Sequence, residues 1–488
     1  MTIKPNIVLI FTDQQRADTM GYAGDPVART QNIDGLAAEG VVFRRCYATS
    51  PVCMATRASL ISGKHVNDHG VWAMADPELR HGPSHVRNIR DVGYCTAVVG
   101  KTHLWLHGKG HTRDHIDEMH DYGFTDPMEM TGPSESASTD SPYTDYLTEK
   151  GLLDTYREYL RTYLRGQAQG VSLPWELPPS LLPTEDHLDM YIARQASEWI
   201  LTYRDNGPFY LQVCFGGPHD PWDSPAVYRR MYNADEMPLS ITDQAIGPMS
   251  PHVEMMLKYA PAKLDAMSEA QNRVMKTYYY GKVSLIDDCI GRVIDTLEEK
   301  GMMENTWIVF SSDHGEMLGD HGLIGKKVFY DGALNIPCII RPPGGIKGWQ
   351  SNGLTDHLDI GATLLDAAGA APYEESDGRS LLPLIAGGPD TSNAQVHKEA
   401  VLSEMGLPPM AYSMVRTDRY KMSVNTLTRQ PLDLYDMEED PNELHNQVDN
   451  PSLKAVRDEL LNGHLNRLLS RMNLSSLKGN SRMQWLKK

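Results

Sequence analysis

The chain has 488 residues, with 64 Asp and Glu set against 46 Lys and Arg, giving a net charge of −18 at pH 7. A surface of that sign repels phosphate backbones and anionic lipid, which argues against nucleic-acid and membrane-surface roles. At 41% hydrophobic and 23% charged residues the composition is globular, and the length suits a large α/β body with an appendage.

The opening apolar run is ended by Asp13, too short for a signal peptide, and no stretch approaches the ~18 apolar residues of a membrane span. The six cysteines, Cys46, Cys53, Cys95, Cys214, Cys289 and Cys338, are too scattered for a disulfide scaffold. A soluble, cytoplasmic protein is the expectation.

Four runs without alternation read as strands buried on both faces: Asn6 to Thr12, Tyr94 to Gly100, Phe209 to Gly217 and Thr306 to Ser312. Helical stretches lie between them, at Ala58 to Ser62 with its continuation, Asp186 to Tyr203 and Glu269 to Lys300. Such alternation predicts an α/β domain over residues 1–375 with a large, mainly parallel central sheet flanked by helices. Residues 104–183 are rich in Pro, Ser and Asp, and read as an irregular, pocket-shaping insertion. Its Trp105, Tyr122, Tyr143 and Tyr146 are candidates for contacts to the substrate. Residues 376–488 read as a smaller C-terminal α+β subdomain, with strand-like pieces and a helix from Pro451 to Met472.

Each strand-like run ends in reactive residues: Asp13-Gln14, Lys101-Thr102-His103, Pro218-His219-Asp220 and Asp313-His314-Gly315. The carboxyl ends of parallel strands form one rim, where ligands bind. Asp13, Gln14, Asp313 and His314 offer oxygens and one imidazole, a set suited to Ca²⁺, Mg²⁺ or Mn²⁺. A rival zinc cage draws on His314, Asp320 and His321. Cys53 is expected in a loop just before a helix with Arg57 one turn on, a setting for an anion and an activated nucleophile.

Cys53-x-Ala55-x-Arg57 followed by ASLISGKH resembles the signature of the type I sulfatases of the alkaline phosphatase superfamily. The likeness extends through Gly100-Lys101-x-His103, Pro218-His219-x-Pro221, Asp313-His314-Gly315 with Lys326 downstream, and the tract from Leu434 to Glu443. It implies an alkaline phosphatase-like fold and hydrolysis of sulfate esters. It further implies conversion of Cys53 to formylglycine by a formylglycine-generating enzyme, and one divalent metal, Ca²⁺ or Mn²⁺, on Asp13, Gln14, residue 53, Asp313 and His314. By the same resemblance Arg57 and Lys101 hold the nucleophile and its charge, and His103 is the base that releases the product. His219 and Lys326 face the leaving oxygen, with Lys326 preferred to Lys327. The substrate is then a small anionic ester, and a homo-oligomer is expected.

Three positions depart from the commonest pattern. Gln14 replaces a second aspartate and His314 an asparagine, both as in the phosphonate monoester hydrolase branch, and Ala55 stands where proline is usual. Phosphonate monoesters and phosphodiesters are therefore the rival substrates. A non-catalytic metal- and anion-binding scaffold is the alternative if Cys53 stays a thiol.

Overall fold

The computed structural model describes residues 4–472 apart from 75–78, 109, 169–172, 174, 205–206, 242–245, 260–266, 390–395 and 408–409. β-Branched and aromatic runs with no polar alternation must bury both faces, and they do so here as a central sheet. Its strands are β1 (Asn6–Asp13), β2 (Val41–Tyr47), β3 (Cys95–Gly100), β4 (Asp126–Glu129), β5 (Phe209–Pro218), β6 (Thr306–Ser312), β7 (Asn335–Ile336), β8 (Cys338–Arg341) and β9 (Trp349–Asp356). The spatial order is β4-β3-β5-β1-β6-β8-β2-β7, with β9 also paired to β2. From β4 to β6 all pairings are parallel, whereas β8 runs antiparallel to both β6 and β2. The sheet is thus mainly parallel, with a mixed edge.

All eight residues of β1 are buried at its centre. Apolar side chains on its two faces alternate between two cores: Ile7, Leu9 and Phe11 on one, Val8 and Ile10 on the other. Helices Leu188–Thr202 and Glu269–Glu299 cover the second face, and helices Cys53–Ser62 and His357–Ala368 the first. Helix Glu269–Glu299 starts in a capping box, Ser268 and Gln271 each satisfying the other's backbone N–H.

The irregular reading of residues 104–183 is corrected. The segment contains helices Ile116–Tyr122, Pro142–Glu149 and Leu153–Ala168, and it supplies edge strand β4. Its expected pocket aromatics are packing residues: Trp105, Tyr122 and Tyr143 are buried. The Tyr143 hydroxyl donates to the Asp186 carbonyl at 2.9 Å, and that of Tyr146 to the Asp186 carboxylate.

A second sheet is four-stranded and antiparallel, with β10 (Ala400–Met405), β11 (Tyr412–Thr417), β12 (Tyr420–Asn425) and β13 (Pro431–Asp436) in sequential order. The C-terminal helical segment packs its Leu460, Leu465 and Leu469 against this sheet. It is not one regular helix: a π-helical turn, Leu460–Leu465, interrupts it. Among the described residues no helix is long and apolar enough to cross a membrane.

Candidate active site

The parallel strands β1, β3, β5 and β6 bring Asp13, Lys101, His219 and Asp313 to one rim. Register fixes this, since Thr12 pairs with Ser312, Asp13 with Pro218 and Gly100 with Cys214. Two glycines of the motifs are steric necessities. A Cβ on Gly100, at φ 116°, would lie 1.9 Å from the Cys214 carbonyl oxygen, and one on Gly315 would lie 2.1 Å from that of Gly332.

Cys53 is the first residue of helix Cys53–Ser62, not the last of a loop. It therefore occupies the turn whose N–H groups have no helical acceptor, a setting favourable to negative charge. Its thiol is buried, and ligand atoms of Asp13, Cys53, Asp313 and His314 all lie within 4.8 Å of one another. Cys53 Sγ is 3.4 Å from His314 Nε2 and 3.3 Å from Lys326 Nζ.

Three cations enclose these groups. Arg57 Nε donates to Asp313 Oδ2 at 3.0 Å, its Nη2 approaches Asp13 Oδ2 at 3.4 Å, and its Nη1 donates to the Lys101 carbonyl at 2.5 Å. The guanidinium also lies over the Phe11 ring, 5.1 Å from its centroid. Lys101 Nζ donates to Asp13 Oδ2 at 2.8 Å. Lys326 Nζ donates to Gln14 Oε1 at 2.7 Å. Lys327 is exposed and makes no such bond, so of the two lysines Lys326 is the one at the site.

Burial alone would raise the Asp13 carboxyl, but Lys101, His219, Lys326 and Arg57 together hold it well below the ordinary range. Burial and the neighbouring Asp13 likewise oppose ionisation of Asp313, and His314, Arg57 and Lys326 still keep it lowered. Lys326 loses solvation on burial, yet the charges of Cys53, Asp13 and Asp313 raise it. His314 is pushed down to about 4 by burial. The neutral imidazole gives its Nδ1 proton to the Gly315 carbonyl at 3.0 Å. That tautomer leaves the Nε2 lone pair facing Cys53, as a metal-binding histidine requires.

These residues fit a divalent cation. Asp13 Oδ1 is buried without a hydrogen-bond partner, although such atoms are normally satisfied. Around it converge Asp313, the His314 lone pair and Cys53 Sγ, so that two carboxylates and an imidazole face one point beside residue 53. The zinc alternative is not formed. Asp320 is ion-paired to Arg16 at 2.7 Å, and His321 stacks on Tyr330 with centroids 4.0 Å apart.

His103 follows Lys101 in a left-handed backbone conformation, φ 55°. It is buried, and neither ring nitrogen has a hydrogen-bond partner. Burial, with Lys101, His107 and Arg57, drives it well below its ordinary pKa, so it is a neutral imidazole. Its ring stacks on His107 with centroids 5.1 Å apart, and His107 Nε2 is 3.2 Å from Glu129 Oε1. His219 follows β5, its Nδ1 2.8 Å from the Asp220 carbonyl. The Gly216 and Gly217 amides leading to it donate to Asp189 Oδ1 at 2.9 and 3.0 Å.

Sequence reasoning missed several carboxylates. Glu129 accepts from the Thr102 amide at 3.0 Å, supporting the lysine–histidine turn. Glu135 is partly exposed, and its carboxyl is lowered, against burial, by Lys101, His219 and His107. Glu316 is fully buried, and burial raises its carboxyl. Only Glu316, two residues beyond His314, carried any signal, because glutamate beside a buried motif needs partners.

This fold, a mainly parallel sheet with buried carboxylates and cations at its strand ends, is the alkaline phosphatase-like class. Solved structures share it: the phosphonate monoester hydrolases of Silicibacter pomeroyi (TM-score 0.77, 24% identity, 96% of each chain) and Agrobacterium radiobacter (0.75, 23%, covering 96% of this chain and 95% of that one). Within that class the chain belongs to the sulfatase family, whose pattern, described as Sulfatase, matches residues 5–370. A second pattern, described as N-sulphoglucosamine sulphohydrolase, C-terminal, matches residues 319–470. Among relatives, the arylsulfatase of Clostridium perfringens is 28% identical over 94% of this chain and 93% of its own. The choline-sulfatase of Rhizobium meliloti is 26% identical over 94% and 86%. The chain is thus a hydrolase of the sulfatase family.

Proposed function

We propose that the enzyme hydrolyses sulfate monoesters through formylglycine at position 53, matured by a formylglycine-generating enzyme. The observation that carries this reading is the meeting of the Cys53 side chain with Asp13, Asp313 and His314 inside a ring of Arg57, Lys101 and Lys326. Asp13, Asp313, His314, the Gln14 amide oxygen and an oxygen on residue 53 would hold one Ca²⁺ or Mn²⁺. When bound, such a cation lowers the pKa of a hydroxyl on hydrated residue 53.

That hydroxyl gives its proton to water, and its oxygen attacks sulfur. The ester S–O bond breaks, and the departing oxygen takes its proton from His219 or Lys326. Residue 53 now carries the sulfate. His103 removes the proton of the second hydroxyl, the bond from carbon to the sulfated oxygen breaks, and sulfate leaves as the aldehyde re-forms. Water then rehydrates the aldehyde. A thiol at position 53 has no second hydroxyl and no comparable route of release. Arg57, Lys101 and Lys326 neutralise the charge that builds on the transferring group.

Phosphonate monoesters and phosphodiesters are a second reading, favoured by the neutral donors Gln14 and His314. Turnover of 4-nitrophenyl sulfate and 4-nitrophenyl phenylphosphonate by one preparation, with metal present and after chelation, tests both. Metal-dependent release of nitrophenol from the sulfate supports the proposal. A preparation active only on the phosphonate selects the second reading, and one inert to both contradicts the mechanism.

A further inference from the structure

Gln14 has φ 69°, and its backbone is pinned at both ends. Its amide N–H donates to Asp313 Oδ1 at 3.0 Å, and its carbonyl accepts from the Tyr279 hydroxyl at 2.8 Å. The side-chain amide is left with two orientations, which diffraction alone rarely separates but a hydrogen-bond network can. Here Nε2 donates to Glu316 Oε2, and Oε1 accepts from Lys326 Nζ at 2.7 Å. The flipped amide would set its oxygen against the Glu316 carboxylate and its NH₂ against the Lys326 ammonium. Both contacts are repulsive, so one orientation survives.

Glu316 is itself held. Its other oxygen, Oε1, accepts from the Leu318 amide at 3.1 Å and from the Gly325 amide. Gly325 directly precedes Lys326, so one buried carboxylate ties together the amide of residue 14 and the turn carrying the lysine. All three of its partners are N–H donors.

We propose that Glu316 is a positioning residue that turns the Gln14 carbonyl oxygen into the metal pocket, and that residue 14 is glutamine because Glu316 already supplies a carboxylate there. The inference rests on the metal reading above. The carboxyl group of a second aspartate has a counterpart in this chain. It stands one hydrogen bond further out, across an amide that turns its acceptor end toward the cation and its donor end toward the glutamate.

Glu316→Gln is close to isosteric. Its side-chain oxygen keeps the Leu318 and Gly325 amides, while its NH₂ now faces Gln14. The Gln14 amide must invert and present its own NH₂ to the cation and to Lys326. The double variant Gln14→Glu with Glu316→Gln exchanges the two groups. The NH₂ introduced at position 316 then donates to one oxygen of the carboxylate introduced at position 14, leaving the other for the cation and Lys326.

The test is binding of Ca²⁺ and of Mn²⁺ to chelator-stripped full-length protein, followed by calorimetry, with thermal unfolding of each variant to confirm folding. Outer partners of metal ligands typically set affinity by about 10–100-fold, and Glu316→Gln is expected to weaken binding within that range. The double variant should return to the wild-type range. Unchanged affinity in Glu316→Gln overturns the inference, as does a double variant no better than the single one. Absence of metal uptake by the wild type overturns the metal reading itself, and is distinguished by appearing before any substitution is made.

Discussion

Replacing Arg57 by leucine removes the guanidinium between two buried carboxylates while keeping an apolar body over Phe11. The arginine is 3% exposed, and it spans Asp313 Oδ2 at 3.0 Å and Asp13 Oδ2 at 3.4 Å. Stripping one partner from a buried ion pair costs about 3–5 kcal/mol, because the remaining charge is left uncompensated. Asp13 keeps Lys101 at 2.8 Å, so Asp313 is the stranded group and the lower end, about 3 kcal/mol, applies. The assay is denaturant unfolding of chelator-treated wild type and Arg57→Leu, repeated with saturating Ca²⁺ or Mn²⁺. A cation beside the same carboxylates should narrow the gap. Stripped proteins that differ by no more than about 0.5 kcal/mol, the range of surface substitutions, would refute the account of Arg57 as the tie between them.

The sign of the pH dependence follows. Asp13 and Asp313 are lowered in the fold, so their stabilisation is present above the ordinary carboxylate range and lost as pH falls through their folded values. Arg57→Leu should therefore move acid unfolding of the stripped protein to higher pH, read by circular dichroism. His103→Ala should lower turnover by about 10²–10⁴-fold, the usual worth of a positioned base. It should also leave sulfate attached to residue 53, visible as added protein mass after exposure to substrate. Lys326→Met removes a buried cation 3.3 Å from Cys53 Sγ, and should lower kcat/KM for an aryl sulfate by about 10²–10³-fold with the fold intact. Glu135→Gln removes a carboxylate from the field of Lys101 and His219. It should lower KM for an anionic ester by about two- to fivefold at low ionic strength, an effect that added salt suppresses.

The central fold was legible where burial on both faces leaves a plain mark. Val8 to Phe11, Ala97 to Val99, Val213 to Phe215 and Ile308 to Phe310 are continuous apolar runs, and their register made neighbours of the polar residues that follow. The mixed edge was not legible. β7 has two residues and β8 four, too short for any periodicity, and polar residues within β9 hide its pairing with β2. Residues 104–183 misled because Pro, Ser and Asp were counted as loop formers. Several of them begin or hold helices instead, as Ser141 and Pro142 do at Pro142–Glu149.

At the site, most motif residues could be named because they follow a strand or lie in the first turns of a helix. Their supports could not. Glu129 lies 26 residues from His103, and Glu316 lies 302 from Gln14. Nothing in local sequence announces a pairing over such a distance. Cys53 was placed one residue outside its helix, since Val52, its N-cap, bears none of the side chains that usually mark that position.

The covalent identity of residue 53 decides the mechanism most directly. Cleavage by trypsin after Arg45 and Arg57 releases Cys46–Arg57, a peptide carrying the residue together with the unmodified Cys46. Mass spectrometry of that peptide, from protein made in its own host and active on a sulfate ester, should find one cysteine and one aldehyde that reacts with a hydrazide probe. A peptide with two intact thiols from fully active enzyme would contradict the account.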